Sequence, residues 1–475
     1  MISRFGRVSL GMFFVMVWLV GCQQTAVSPI TPTPVIFAGV PEPTSDTPET
    51  AVPPPATPLP PSATPSPTAT PRPTQTATPQ PTNTSPPTTQ PANSPTIQPT
   101  NTTSASTAES MPPASASPSP SPLPPSGTVE QPPYEPSPCS DKYPCNDDIA
   151  GWEARIRVPA GFQATYFARV NGRPTSITFG PDALLYVAVQ EGTIYTINSS
   201  GHIAAYVSGF NTPTGIAFQP GTNRLYVASR VRDQNTGGEA QVSVVQGGSI
   251  SQIIGGIPCC YAFLHAANGI AFGPDGFGYV AVGARADHGE ILEGPNKGEQ
   301  DQLHPWEATI LRFSPGGSIV EPYAYGFRNA YDIAWDANGV LWATDNAPDF
   351  GPPEELHRVV PGGQHGYPWY ECDICFAPPP DVQVLPPTYM FVPHSAPTGI
   401  TAYLADQFPG YYNNLFVTLW SAFPGAQKVV RVGPGGLSNF ATGFAAPIDV
   451  TVGPDGSLYV ADWATGIIFR IAYTG

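Results

Sequence analysis

An all-β, six-bladed β-propeller is the fold this sequence predicts, and three observations predict it. First, one hairpin pattern recurs six times: "SITFGPDALLYVAV" from Ser176, "GIAFQPGTNRLYVAS" from Gly215, "GIAFGPDGFGYVAVG" from Gly269, "DIAWDANGVLWATD" from Asp332, "GITAYLADQFPGYYNNLFVTLW" from Gly399 and "DVTVGPDGSLYVAD" from Asp449. Each is an alternating apolar strand, a turn of Pro, Asp or Gly, and a second strand near "LYVA". Second, the equivalent positions Phe179, Phe218, Phe272, Trp335, Ala402 and Val452 lie 39, 54, 63, 67 and 50 residues apart, room for four strands and loops of varying length. Third, the same region lacks long helical periods. A β-sandwich is the alternative, and it does not require six copies of one hairpin.

Ahead of the repeats the chain reads as an address and a spacer. Arg4 and Arg7 precede the short apolar run Val8 to Val20, too short to span a bilayer, so residues 1–21 are expected to be a signal peptide. The run ends in Leu19-Val20-Gly21-Cys22, which resembles a bacterial lipobox, with Cys22 the expected lipidated residue. An ordinary signal peptide with a chance cysteine is the other reading. Acyl chains at about 0.8 kcal/mol per buried CH₂ would hold the protein on a membrane, giving an extracytoplasmic, lipid-anchored localisation at cell surface or periplasm. Residues 22–138 are dominated by Pro, Thr, Ser and Ala, as in "PPPATPLPPSATPSPTATPRPTQTATPQPT". Such a segment buries too little apolar surface to offset its ordering entropy, so a disordered linker is expected, extending at roughly 3.1 Å per residue where it is polyproline II.

Residues 139–475 suffice for one propeller domain. A net charge of -16 argues against nucleic acid as a partner. Besides Cys22 the chain has Cys139, Cys145, Cys259, Cys260, Cys372 and Cys375, an even set that reads as disulfides in an exported protein. Close spacing suggests Cys139–Cys145, Cys372–Cys375 and a vicinal Cys259–Cys260 pair. Cys372-Asp373-Ile374-Cys375 also has the spacing of a redox or zinc motif, but a loop staple is the plainer expectation.

A propeller gathers residues from distant blades around one channel mouth, and the polar residues flanking the repeats are therefore candidates for a site. Several stretches occur in order: "HAANGIAFGPDGFGYVAVG", "YGFRNAYDIAWDANGVLWATDNAPD", "PPEELHRVVPGGQHGYP", "PHSAPTGITAY…FPGYYNNLFV" and "PIDVTVGPDGSLYVAD…GIIFRIAY". In this ordered set the chain resembles the glucose/sorbosone dehydrogenases that use pyrroloquinoline quinone (PQQ), with the sorbosone-dehydrogenase-like branch nearest. The resemblance implies a propeller binding PQQ and Ca²⁺ at its mouth, a small-molecule sugar substrate, and a quinone or cytochrome as electron acceptor. It puts His265 in the position of the base that takes the sugar hydroxyl proton. Read from the residue alone, His265 is a strand-edge cap. Arg328 takes the position beside the reducing quinone oxygen, where a guanidinium stabilises developing charge; an ion pair with Glu354 or Glu355 is its structural reading. Asn329 and Asn346 match cofactor-contacting positions, or else cap turns. The backbone carbonyls of Ala347 and Pro348 match the Ca²⁺ ligands. Gln364, His365 and Tyr367 either line a groove or follow from tight glycine turns with His365 at the rim.

The chain also departs from that pattern. A tricarboxylate needs several cations. Where relatives carry arginine before the last repeat, this chain has Ala445-Ala446-Pro447, and the fifth repeat offers only Lys428. Leu264 stands before His265 where some relatives have a carboxylate. The resulting expectation is a PQQ-dependent oxidoreductase for an aldose or sugar aldehyde. The alternative is a catalytically degenerate propeller that binds a surface glycan or protein, and a metal-dependent lactonase is a third reading.

Overall fold

A computed structural model describes residues 139–232, 238–261, 264–349, 352–369 and 375–475. The expected signal peptide, Cys22, the linker up to residue 138 and Cys372 lie outside the described residues. Among the described residues no helix is long and apolar enough to cross a membrane.

The strands form six antiparallel four-stranded sheets, the six blades of a propeller. The innermost strands are Pro174–Phe179, Asn211–Phe218, Ala267–Phe272, Ala330–Trp335, Pro397–Ala402 and Pro447–Val452, and each touches the next around a closed ring. The six recurring hairpins are the two inner strands of each blade, as in Phe179↔Leu185 and Val452↔Leu458. Their turn has a local cause. In blade three Asp275 accepts the Phe277 N–H at 3.2 Å and the Tyr279 hydroxyl at 2.9 Å, and Asp182 and Asp455 repeat the arrangement in blades one and six.

Blade six is completed by Phe162–Arg169, which pairs with Ile467–Tyr473 and so joins the first strand of the domain to the last. The hairpin pattern did not foretell this strand. The cores lie between blades: Leu356 and Phe391 of blade four pack with Ile400 and Val417 of blade five. Side chains near the channel also fasten neighbouring blades. The Thr214 hydroxyl donates to Ala267 O at 2.6 Å, and Asp332 and Asp449 accept the N–H groups of Ile400 and Ile177 at 2.9 and 2.6 Å. A Cβ on Gly215 would lie 2.0 Å from Asn268 O, so that inner strand requires glycine.

The expected Cys139–Cys145 and Cys259–Cys260 bonds are both present. Cys375 is also disulfide-bonded. The short helix Ile149–Arg155 buries Trp152, whose Nε1 donates to Cys145 O at 3.0 Å, alongside Tyr143 and Phe444.

Candidate active site

Inner strands begin, and second strands end, at the same mouth of the channel. His265 and Ala266 lead into the inner strand of blade three, and Arg328 and Asn329 into that of blade four. Asn346, Ala347 and Pro348 follow the second strand of blade four. Gly283 shows how closely these meet: a Cβ there would lie 2.8 Å from Asn329 Oδ1 and 3.4 Å from His265 Cα.

His265 is 8% exposed. Its Nδ1 is buried and has no hydrogen-bond partner among the described residues, which leaves Nε2 as the ring nitrogen turned to the mouth. Burial, with the charges of Arg328 and Arg230, pushes its pKa well below 6.5, so the imidazole is neutral. The Tyr261 ring lies 5.6 Å from it, directly after the vicinal disulfide.

Arg328 is equally buried. Its Nη2 donates to Asp287 Oδ1 at 2.5 Å and its Nη1 to Asn346 O at 3.3 Å. The expected partners Glu354 and Glu355 are corrected here. Glu354 Oε2 accepts the Ala347 N–H at 3.0 Å, and Glu355 Oε2 meets His357 Nε2 at 3.0 Å. Burial opposes the guanidinium charge, but Asp287 and Asp349 more than offset it and hold the pKa above the usual arginine value. His288 braces the pair, with Nδ1 3.2 Å from Asp287 and Nε2 2.9 Å from Asp349 O.

The two asparagines carry structural bonds. Asn329 Oδ1 accepts from Asn268 Nδ2 at 2.9 Å, and Asn346 Nδ2 donates to Pro397 O at 2.9 Å, tying blade four to blade five. Among the described residues the carbonyls of Ala347 and Pro348 accept no hydrogen bond. Lys428 sits at the mouth end of the third strand of blade five, two strands out from the channel, with its pKa lowered by burial. His365 is not at the rim: it is buried, stacks on Phe327 at 4.9 Å, and its Nε2 accepts the Val360 N–H. Gln364 and Tyr367 are likewise bonded inward, to Gly366 N and Ala286 O.

Several mouth residues escaped the sequence reading. The residue following the second strand is Gln190 in blade one, Gly283 in blade three, Trp420 in blade five and Trp463 in blade six, beside the already named Asn346 of blade four, and blade two brings Arg230 near the end of its longer second strand. Trp420 and Trp463 meet edge to face at 5.5 Å, Arg173 lies over Trp463 at 5.0 Å, and Trp463 Nε1 donates to Gln190 at 3.1 Å. With Leu264 and Tyr331 the two indoles form one apolar cluster at the mouth. Tyr331 Oη donates to Thr175 O at 2.8 Å, crossing the channel from blade four to the opposite blade one. The repeat register was the available signal. Asp287 had none, because it lies in a loop that only blade three carries between its second and third strands.

Test these groups against a planar tricarboxylate and a hard cation. Arginines 173, 230 and 328 come to the mouth from three blades, and aromatic rings give it an apolar floor. The uncommitted carbonyls of residues 347 and 348 are hard oxygen donors. The residues are compatible with PQQ and Ca²⁺, and Arg173 and Arg230 are cations at the mouth that the sequence analysis, which found none at Ala445–Pro447, did not name.

A neutral buried imidazole, a clamped guanidinium and further arginines thus meet at one mouth of a six-bladed propeller. Residues 172–470 match the Glucose / Sorbosone dehydrogenase family, and the chain belongs to it. Solved structures agree on the fold. The apo form of the soluble aldose sugar dehydrogenase of Escherichia coli is 16% identical, with a TM-score of 0.53, covering 66% of this chain and 99% of that one. The PQQ-bound aldose sugar dehydrogenase of Streptomyces coelicolor is 19% identical at a TM-score of 0.50, with coverage of 66% and 99%. A calcium structure of the Trichoderma reesei carbohydrate-active enzyme of family AA12 is 14% identical at 0.52, with coverage of 67% and 97%.

Proposed function

We propose that the domain is a PQQ- and Ca²⁺-dependent dehydrogenase of an aldose or sugar aldehyde. The observation that carries this is the meeting of neutral His265 and clamped Arg328 at a mouth ringed by Arg173 and Arg230. The chemistry PQQ supplies when bound is acceptance of the substrate's hydride and its two electrons. Arg173, Arg230 and Arg328 would hold its carboxylates and quinone oxygens, and the 347 and 348 carbonyls the cation. His265 accepts the substrate hydroxyl proton at Nε2. A depressed pKa keeps it deprotonated and ready, with some loss of basicity. Arg328 is held in place by Asp287 and stabilises negative charge at the oxygen it faces. The aromatic floor excludes water from below.

The rest of the reading concerns address. Three features support an extracytoplasmic protein anchored through Cys22: the charged and apolar N-terminal residues, the cysteine at 22 and the disulfides of the domain. Its electrons would pass to a quinone or cytochrome.

The test is reconstitution of purified protein with PQQ and Ca²⁺. PQQ absorbance should titrate to saturation, dye should be reduced in the presence of aldoses, and His265→Ala should abolish reduction while retaining PQQ. A second reading, a glycan- or protein-binding propeller without catalysis, draws on the prior engagement of Arg328 by Asp287. It would be favoured if PQQ did not bind while a glycan did, with affinity unchanged in His265→Ala.

A further inference from the structure

A second cleft, of about 680 Å³, lies where blades three and four meet. Loop 360–367 doubles back along the outer strand of blade three: Tyr325 N donates to Gly363 O at 2.9 Å, His365 N to Tyr325 O at 2.8 Å, and Leu385 N to Gln364 O at 2.7 Å. The cleft is therefore walled by hydrogen-bonded backbone. It is distinct from the mouth, for Gly326 lines it while Arg328, two residues on, faces the channel.

Its chemistry is specific. Tyr325 and Trp369 offer aromatic surface beside Leu385 and Val382. Trp369 Nε1 is buried and has no hydrogen-bond partner among the described residues. Among the described residues the Tyr325 hydroxyl, His304 Nε2 and the Gln383 amide also make no hydrogen bond. The one carboxylate among the cleft's described residues, Glu307, is occupied: it accepts Arg285 N at 2.8 Å and Arg285 Nε at 2.7 Å. Among the described residues no lysine or arginine lines the cleft. Aromatic faces, unengaged donors and acceptors, and no uncompensated charge among the described residues of the lining select a neutral ligand that has both apolar ring faces and many hydroxyls.

We infer that this cleft is a binding site for a neutral oligosaccharide, separate from the dehydrogenase mouth and independent of its cofactor. Tyr325 stacks on a sugar ring, and Trp369 Nε1 and Gln383 bond its hydroxyls. The idea stands whether or not the mouth oxidises sugars.

The experiment uses the full chain labelled with ¹⁵N at its indoles, titrated with maltopentaose, cellopentaose and chitopentaose. The Trp369 indole signal, assigned with Trp369→Phe, should shift saturably with at least one of them. Trp369→Phe keeps the ring and removes the donor, and should weaken binding about three- to tenfold, the loss of one hydrogen bond. Exposed Tyr325→Ala should weaken it as well, with circular dichroism, PQQ titration and dye reduction of a monosaccharide unchanged in both variants. The inference is overturned if none of the three oligosaccharides moves the Trp369 signal at millimolar concentration, or if a proline-rich peptide moves it and they do not.

Discussion

His265 illustrates how neighbours set a residue's chemistry. Burial, then Arg328 and Arg230, depress its pKa, so it stays neutral well into the acid range. The acid limb of kcat/KM should consequently fall below pH ~6.5, the ordinary histidine value, and Arg230→Gln should move that limb upward. A limb at or above the ordinary value in the wild type would remove His265 from the role of base. The Arg328–Asp287 pair is a buried ion pair, and Asp287→Ala leaves a guanidinium unpaired. A loss of about 3–5 kcal/mol is expected, read as a lower denaturation midpoint. Glu355 behaves in the opposite sense. Burial raises its pKa to about 8, so the folded state keeps a proton that the unfolded chain releases from about pH 4.5. Stability at this position is whole below about pH 4.5 and declines as the pH climbs towards 8. Glu355→Gln, a neutral stand-in, should raise the Tm at pH 8 and change it little at pH 4.5.

At the scale of the strand and its turn, much was legible. The six hairpins could be read because a tight polar turn between two buried strands recurs six times, capped by an aspartate in four of them, Asp182, Asp275, Asp336 and Asp455. The inner strands also show in their small residues. Gly215→Ala would press a Cβ onto Asn268 O and should destabilise by about 1–3 kcal/mol, measurable by urea denaturation. What the sequence hid was mostly long-range. His265, Arg328, Asn329 and Asn346 were found through flanking motifs, whereas Arg173 and Arg230 went unnoticed because only the shared register of the blades places them at the mouth. Asp287 comes from an unrepeated loop, so no comparison between blades marks it. His365 misled because a glycine-rich stretch reads as an exposed turn, yet this one hydrogen-bonds to the neighbouring blade and buries its imidazole.

The propeller domain is a ring fastened by one strand. Because Phe162–Arg169 supplies the outer strand of blade six, removing residues 139–169 would expose the edge at Ile467–Tyr473 and separate the two ends of the ring. That truncated chain should lose the single cooperative unfolding transition of the intact domain and aggregate. An unchanged thermal transition would show that the strand is dispensable.

The Tyr331–Thr175 bond spans the disc from one side to the other just under the mouth. A side chain crossing the channel there narrows passage through the ring. If the proposed activity holds, sugar and electron acceptor would then use the same mouth, the first product leaving before the second reactant enters. Turnover under the proposed activity would accordingly alternate, and double-reciprocal plots at several acceptor concentrations would run parallel rather than converge.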